Sequence, residues 1–380
     1  MKIYLATFLL AILIIKFSEL ITNSFLKKMV LILAITFPAT LAGMRSINVG
    51  TDILYYGLAA YKMSFVSDLA GILNHYRLIG DNSIIFYTLW YYSSRLSKSL
   101  FGPQFILEFL IELNIIFALT KFGQSISKYR LWQGMAVYYF IFYSYSLNIM
   151  KQSLAMSMIF VIFLYLLMEN KEVKYMIGVL LIGLFVHTSA LIALFVVPIK
   201  HIWERVLKHK RSTFIFKVGI FCFPLMVVFL YKPIIMIVSK IFPRYALYLS
   251  SAYASGISMK GTMTQVVMLL AIYFVIVFIK NSLSTKVNDI GLYESLYLLG
   301  ISLFNFSLVA RNGYRIGLYF AYIGILLVTT VFNNGNVKID SDNSIVMIFR
   351  SILLLLVLIL FWYVSFVLMG INQVVPYSLG

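Results

Sequence analysis

The residues best suited to chemistry lie in a polar stretch, residues 45–56, that follows the second hydrophobic segment of the chain. Arg45 and Asp52 stand on either side of a predicted turn at Gly50 and Thr51. A guanidinium binds phosphate through two parallel hydrogen bonds, and a carboxylate near such a cation stays ionised at neutral pH. We therefore expect Arg45 to grip a phosphate and Asp52 to act as a general base or to orient a sugar hydroxyl. The alternatives are an arginine that reaches lipid headgroups and an aspartate that caps a helix.

A second polar group, Asn148, Lys151 and Gln152, has the spacing of one helix face. Two amides beside a lysine suit a sugar hydroxyl and a phosphate, so all three are predicted to bind substrate. The alternative is a lysine that reaches the membrane interface beside a belt of tyrosines. Thr51 and Tyr55 are expected to complete this binding surface from the first stretch.

His187 lies deep in apolar sequence, where an ionisable side chain is costly and tends to face a wet interior. We predict that it assists proton transfer or donates to a phosphate. The alternative is a hydrogen bond between helices. No second histidine or carboxylate stands at ligand spacing from it, so we expect no metal site.

A third group, Arg311, Tyr314 and Arg315, lies at the junction of two apolar segments. Two arginines one helical turn apart at a membrane boundary are suited to clamp a diphosphate, with the tyrosine beside them. Anchoring to anionic lipid is the alternative.

The composition is that of an integral membrane protein, because 62% of the 380 residues are hydrophobic and only 12% are charged. A soluble domain carries roughly a quarter of its residues as charged side chains. The formal charge is +18, and the basic residues lie mainly between apolar spans. This placement indicates that they set the orientation of the protein in the membrane and contact lipid headgroups, rather than bind nucleic acid. The single cysteine, Cys222, excludes an internal disulfide, and no cofactor is expected.

Other motifs of known chemistry are missing from the sequence. No Walker-type phosphate loop, HExxH zinc motif or GxSxG elbow occurs, which argues against ATP-driven transport, metalloprotease and serine hydrolase functions. Glu108 and Glu112 lie one turn apart within an apolar segment, where like charges repel. We expect them to be structural, with at least one protonated or paired with a buried cation.

The apolar segments predict an all-α, polytopic membrane protein with about 11–13 spans, since a helix needs about 20 residues to cross the hydrocarbon. No internal repeat divides the chain, so a single transmembrane domain, residues 1–380, is expected. The predicted spans lie near residues 2–22, 28–44, 83–100, 104–120, 131–147, 152–168, 173–197, 213–231, 263–280, 290–310, 314–332 and 346–369.

The loops predict the orientation. Residues 200–217 form the most basic loop and are expected in the cytoplasm, whereas the balanced charges of 45–82 place that loop outside, together with 232–262. Three predicted spans separate residues 45 and 148, so the two residues lie on the same side of the membrane only if one of these spans does not cross it. The polar segment 83–100 is therefore predicted to lie in the interface or to re-enter the membrane. His187 interrupts the span 173–197, which is either one long helix with a polar notch or two half-helices.

The order of four motifs resembles the EpsG family of Wzy-like polysaccharide polymerases. The motifs are Arg45 with Val49-Gly50-Thr51-Asp52 and Tyr55-Tyr56, then Asp81-Asn82-Ser83, Leu147-Asn148-Ile149-Met150-Lys151-Gln152-Ser153-Leu154-Ala155, and Phe185-Val186-His187-Thr188-Ser189-Ala190-Leu191. The chain departs from the family in having Lys151 where arginine is frequent, and in lacking Glu-Pro-Gly near Asp81.

The resemblance implies a multi-pass enzyme of the bacterial cytoplasmic (inner) membrane with a glycosyltransferase fold of the GT-C type. Such an enzyme joins undecaprenyl-diphosphate-linked oligosaccharides, as donor and acceptor, on the outer face of the membrane. The product is O-antigen, capsule or exopolysaccharide, and a chain-length regulator and a flippase are candidate partners. No metal and no nucleotide sugar is implied.

On this interpretation an acceptor hydroxyl attacks the anomeric carbon and the lipid diphosphate leaves. Arg45, Lys151, Arg311 and Arg315 are expected to stabilise the departing diphosphate, with Asp52 as first and His187 as second candidate base. Two rivals remain open. A lipid-linked oligosaccharide flippase would use the same basic residues, and a membrane O-acyltransferase acting on glycans would use the histidine as base.

Overall fold

The structure is a computed structural model, and it divides the chain into two compact units. The first contains residues 1–191 and 358–380, and the second contains residues 192–357. The described residues are 1–124, 130–206, 210–230, 259–282, 290–310, 312–333 and 341–380, with a few positions between 233 and 240. Helices account for nearly all of them and no strand occurs among them, which confirms the all-α class.

The described residues of the first unit contain ten α-helices. They are α1 (Lys2–Ser18), α2 (Ser24–Gly43), α3 (Leu58–Val66), α4 (Leu69–Leu78), α5 (Ile84–Ser97), α6 (Phe101–Gln124), α7 (Leu131–Val137), α8 (Tyr143–Ser146), α9 (Met150–Leu167) and α10 (Glu172–Phe185). Most of them lie within predicted spans, whereas α3 and α4 lie in the predicted outer loop 45–82. Local sequence starts several of them. The Asn23 side chain accepts the N–H of Leu26 at the start of α2, and Asp68 accepts the N–H of Gly71 at the start of α4.

The centre of the first unit is residues 131–157, which are buried throughout. This segment runs through α7, a π turn, α8 and the first turns of α9, and it carries tyrosines and serines that need partners once they are buried. The two glutamates of α6 supply acceptors. Glu108 accepts the hydroxyls of Tyr138 and Ser146, and Glu112 accepts that of Tyr139 at 2.7 Å. These contacts agree with a structural role for both carboxylates.

The second unit contains α11 (Val196–Val206), α12 (Lys210–Phe229), α13 (Met259–Ser282), α14 (Ile290–Leu303), α15 (Tyr314–Ala321) and α16 (Gly324–Asn333), and α17 (Ser341–Trp362) follows. Glycine allows α14 and α15 to approach closely. A Cβ on Gly300 would lie 2.3 Å from the backbone nitrogen of Ala321, and one on Gly317 would lie 2.5 Å from the carbonyl oxygen of Gly300. Small residues at such crossings are typical of membrane helices.

Six helices or helix pairs among the described residues are long and apolar enough to cross a membrane, which confirms a polytopic membrane protein. They cover Ser24–Gly43, Met150–Leu167, Ser212–Phe229, Lys260–Asn281, Tyr314–Phe332 and Ile345–Leu368. The division into a single transmembrane domain and the GT-C likeness stay predictions.

Helix length and continuity bear on two ambiguous segments. Helix α5 has 14 residues, so it is about 21 Å long, shorter than the hydrocarbon core of about 30 Å. It therefore suits the interfacial or re-entrant placement expected for 83–100. The predicted span 173–197 is not one continuous α-helix, because α10 ends at Phe185 and a 3-10 helix begins at Thr188. The predicted outward loop 232–262 lies largely outside the described residues.

Candidate functional site

The loop of residues 44–52 leads from α2 to a π turn at Ile53–Gly57 and lies against the turn that precedes α9. Gly50 has a φ of +83°, in the left-handed region that glycine adopts without cost. A Cβ at Gly50 would also lie 2.6 Å from the carbonyl oxygen of Leu147. Glycine is therefore required here both by the backbone conformation and by the close approach to the neighbouring turn.

Arg45 points into the protein and ties this loop to two helices. Its side chain is nearly fully buried, its Nε donates to Gln104 Oε1 at 2.5 Å, and its Nη1 donates to the carbonyl of Leu147 at 2.6 Å. Its Nη2 lies 3.2 Å from the sulfur of Met150, the first residue of α9. Each guanidinium nitrogen thus has a protein neighbour, and the expected grip on a phosphate stays a prediction.

Thr51 and Asn148, two predicted binding residues, are in direct contact. The Asn148 side-chain oxygen accepts the backbone N–H of Thr51 at 2.8 Å and its hydroxyl at 2.6 Å. The Asn148 amide nitrogen donates to the side-chain oxygen of Asn372 at 3.0 Å. The side-chain amides of Asn148 and Asn372 therefore hold Thr51, the residue before Asp52, in place.

Asp52 and Lys151 are linked through one tyrosine. Asp52 is 8% exposed, and its Oδ2 accepts a hydrogen bond from the Tyr56 hydroxyl. The Nζ of Lys151 lies over the ring of the same tyrosine, 3.8 Å from its centroid. An ammonium at that distance is attracted by the ring face. The structure thus brings a carboxylate and a cation to the edge and the face of one aromatic ring.

Lys151 is also paired with Asp81. Its Nζ lies 2.5 Å from Asp81 Oδ2, and the Tyr87 hydroxyl donates to the same oxygen at 2.7 Å. Ser83 donates its N–H and its hydroxyl to the other oxygen. Burial alone raises the pKa of Asp81, but Lys151 and these hydrogen bonds outweigh burial and hold the pKa below its ordinary value. The carboxylate is therefore ionised at neutral pH.

Aromatic packing positions Asp81 between α4 and α5. The ring of Tyr76, from α4, stacks on that of Tyr87, from α5, with centroids 3.7 Å apart. The Trp90 indole N–H, one turn further along α5, donates to the carbonyl of Gly57 at 3.0 Å. These contacts join the short helices of the predicted outer loop to one another, so the loop is a packed part of the first unit.

The other predicted residues of the first unit take different positions. Gln152 is buried, while Tyr55 is 80% exposed on the π turn. His187 lies at the break after α10, where its Nδ1 is 2.6 Å from the Ser189 hydroxyl and also near that residue's N–H. Because the Ser189 N–H is a donor, Nδ1 is assigned as the acceptor and Nε2 as the protonated nitrogen.

The predicted diphosphate clamp belongs to the second unit. Arg311 lies outside the described residues. Tyr314 is buried and is the first residue of α15. Its backbone N–H donates to the Ser307 hydroxyl at 3.1 Å. Arg315 is half-buried. The joint role of the two arginines stays a prediction.

Sequence reasoning missed three side chains that hold the predicted residues. Tyr56 was passed over in favour of its neighbour, because only the π register decides which tyrosine faces inward. Tyr87 lies in the segment 83–100, in which the sequence predicts no site residue. Gln104 carried a usable signal, since a lone amide at the start of an apolar span needs a buried partner.

A buried ionic cluster in the second unit was also missed. Glu294 is fully buried, and one of its oxygens contacts Lys217 while the other contacts Lys280. These three residues come from α14, α12 and α13. A lysine or glutamate in an apolar span is costly without a partner, so each was a signal, but the sequence does not show which helices meet.

The cluster of the first unit, Asp52, Tyr56, Asp81, Tyr87 and Lys151, combines an ammonium, two carboxylates and two phenols. Such groups can hold an anion, orient a hydroxyl and accept a proton. Among the described residues no group of three His, Cys, Asp or Glu side chains is placed to hold a metal ion.

These features define the class of protein as an all-helical, multi-pass membrane protein whose first unit holds a cluster of ionisable side chains that includes two tyrosines. The family comparison agrees, because the EpsG family model matches residues 28–379. The chain therefore belongs to the EpsG family, a family of Wzy-like polysaccharide polymerases. No match was found among curated proteins or among solved structures.

Proposed function

We propose that this protein polymerises polysaccharide repeat units by glycosyl transfer, using lipid-diphosphate-linked oligosaccharides as donor and acceptor on the outer face of the cytoplasmic membrane. The observation that carries the proposal is the Tyr56 ring, which has the Asp52 carboxylate at its hydroxyl and the Lys151 ammonium on its face. The acceptor hydroxyl attacks the anomeric carbon, the bond to the diphosphate breaks, and the diphosphate leaves with the electron pair.

The leaving group requires a cation, and Lys151 is our candidate. An ammonium on a buried helix start, partly desolvated, stabilises developing negative charge without reorganising. In the free protein Asp81 neutralises this ammonium at 2.5 Å. We infer that the bound diphosphate takes over part of that contact. A role of Arg311 and Arg315 in binding the diphosphate stays a prediction from the sequence.

The acceptor hydroxyl requires a base, and Asp52 is our first candidate. Its Oδ2 is occupied by the Tyr56 hydroxyl, which orients the carboxylate. Arg45 and the Thr51–Asn148 contact hold the loop that carries it. His187 is the second candidate. Tyr55 and Gln152 are proposed to contact the glycan.

The test is a strain that lacks this gene and is complemented with wild type, Asp52→Asn or Asp68→Asn. Asp68 is a helix cap outside the cluster, and asparagine caps equally well, so Asp68→Asn is the matched control. We expect normal polymer from the control and single repeat units from Asp52→Asn, measured by glycan gel at equal protein amounts. Full-length polymer from Asp52→Asn would remove the base assignment.

The side on which single units accumulate separates the rival functions. Accumulation of lipid-linked repeats outside the membrane supports a polymerase. Accumulation inside, measured by protection from an external glycosidase, would point to a flippase instead. Polymer of normal length that lacks acyl groups would point to an acyltransferase.

A further inference from the structure

Residues 370–380, here called the strap, run alongside the loop that carries Arg45 and Asp52. Three backbone hydrogen bonds join the two segments. The N–H of Ser46 donates to the carbonyl of Ser378 at 2.8 Å, that of Gly50 to Gln373 at 3.1 Å, and that of Gly380 to Met44 at 3.0 Å. Arg45 and Leu379 pair as an isolated antiparallel bridge.

Side chains anchor the strap to the core of the first unit. The Tyr377 hydroxyl donates to the carbonyl of Leu41 at 2.7 Å, and the Tyr4 hydroxyl donates to that of Val374 at 2.9 Å. Val374 is fully buried. The strap is therefore attached to the loop and also to helices α1 and α2.

The strap also reaches the predicted binding residues through Asn372. The side-chain oxygen of Asn372 accepts from the Asn148 amide at 3.0 Å, and the other end of Asn148 receives both hydrogen bonds from Thr51. The Asn372 amide donates to the carbonyl of Ser144 at 3.3 Å. A chain of amides thus connects the strap to the residue next to Asp52.

The strap adopts a backbone that most residues avoid. Gly370, Asn372 and Gln373 have φ values of +62°, +68° and +53°, all in the left-handed region. Non-glycine residues hold such angles only where the surrounding structure over-determines them, and such positions are frequent at functional sites. Asparagine tolerates this region better than most residues do.

We propose that the strap positions the 44–52 loop for catalysis and that Asn372 is a positioning residue, which acts on Thr51 and Asp52 through Asn148. This inference rests on the polymerase function proposed above. A loop that must hold a base within reach of a hydroxyl has few hydrogen bonds of its own, and the strap supplies them. The strap stays closed during turnover and is not a lid.

One experiment compares Asn372→Gly with Asn372→Asp in purified protein acting on a lipid-linked repeat unit. Glycine keeps the left-handed backbone and removes the acceptor for Asn148, so we expect kcat to fall about 10-fold, the effect of one lost hydrogen bond. KM should change by less than about 2-fold on the same argument. Aspartate keeps the acceptor for Asn148 but loses the donor to the Ser144 carbonyl, so Asn372→Asp should recover part of the lost rate.

Leu379→Ala is the control for the strap. The Leu379 side chain is 64% exposed and the residue contacts the loop through its backbone, so this variant should behave as wild type. A merely structural role for Asn372 predicts less folded protein and an unchanged kcat per folded molecule for both substitutions. That pattern would overturn the positioning role.

A second experiment does not depend on polymer synthesis. The hydroxyls of Ser46 and Ser378 lie 2.6 Å apart, so cysteines at both positions are near enough to cross-link. With Cys222→Ser removing the native thiol, we expect Ser46→Cys/Ser378→Cys to form a disulfide under mild oxidation. Failure to form it overturns the strap and leaves the polymerase proposal intact.

The activity of the cross-linked protein then separates a strap from a lid. We expect polymer synthesis to be equal before and after reduction, and the cross-link to restore part of the rate lost in Asn372→Gly. Loss of activity on oxidation that returns on reduction would show that the segment must open, and would overturn the proposal. If the Ser46→Cys/Ser378→Cys variant cross-links but the wild-type protein never polymerises, the catalytic role of the strap is overturned together with the polymerase function.

Discussion

The Nζ of Lys151 in α9 lies 2.5 Å from Oδ2 of Asp81 in the loop between α4 and α5, although the two residues are 70 positions apart. The lysine side chain is 11% exposed and the aspartate side chain 25%, so water screens the pair only in part. The pair joins the short helices after the 44–52 loop to the buried start of α9.

Asp81→Asn should destabilise the protein because it leaves the Lys151 ammonium without a counter-charge. Breaking a buried ion pair costs about 3–5 kcal/mol, and partial exposure places this one near about 3 kcal/mol. Thermal unfolding in detergent measures the loss. The matched control is Asp68→Asn, which removes a carboxylate from a cap and should leave the midpoint nearly unchanged.

The pH dependence of that loss follows from the lowered pKa of Asp81. Stability from a carboxylate of lowered pKa is fully present above its unfolded pKa, about 3.9, and is lost as the pH falls through the lower folded value. We therefore expect the difference between wild type and Asp81→Asn to be constant from about pH 5 to 8 and to shrink only below about pH 4. A difference that vanished near pH 6 would contradict the assignment.

Lys151→Arg should keep polymer synthesis and Lys151→Gln should abolish it. Lysine and arginine both carry a positive charge that can pair with Asp81 and lie over the Tyr56 ring. Glutamine is neutral and can make neither interaction. We expect a rate within about 10-fold of wild type for arginine and a loss of at least about 100-fold for glutamine. Glycan length in complemented cells provides the measurement. Normal polymer from Lys151→Gln would exclude this ammonium from the reaction.

Gly50→Ala should disrupt the 44–52 loop, and Gly80→Ala is its matched control. Both glycines have left-handed φ, +83° and +82°, so the backbone penalty of alanine is shared. Only at Gly50 would the new Cβ meet an atom, at 2.6 Å from the Leu147 carbonyl oxygen, while Gly80 faces open space. We expect about 1 kcal/mol from backbone strain at Gly80 and about 2 kcal/mol more at Gly50. Equal losses in thermal unfolding would show that the close approach is absent.

Glu294→Gln should strongly destabilise the second unit, because it leaves Lys217 and Lys280 to repel one another. Removing the central charge of a buried cluster costs about 3–5 kcal/mol. Glu169→Gln is the comparison, since its pair with Lys171 is exposed on both sides and such pairs contribute little to stability. Protease resistance of the membrane-embedded protein would reveal the difference. Equal protease resistance of the two variants would mean that water reaches the Glu294 cluster and screens its charges.

The sequence by itself determined the class of the protein and the place of most helices. Apolar runs of spanning length are decisive because hydrocarbon admits only backbones that satisfy their own hydrogen bonds. Composition alone shows a long apolar segment at 150–167 and a polar, weakly apolar segment at 83–100. The structure has α9 at the first position and the short α5 at the second. The motif order also indicated the family.

The tertiary structure decided which polar side chains meet. Whether Arg45 turns toward a ligand or toward Gln104 depends on the packing of α2 against α6, which periodicity does not reveal. The choice of Tyr56 over Tyr55 depends on one π turn, and the reach of Asn372 to Asn148 spans 224 positions. Burial forces polar groups to find partners, but the long-range fold alone selects the partner.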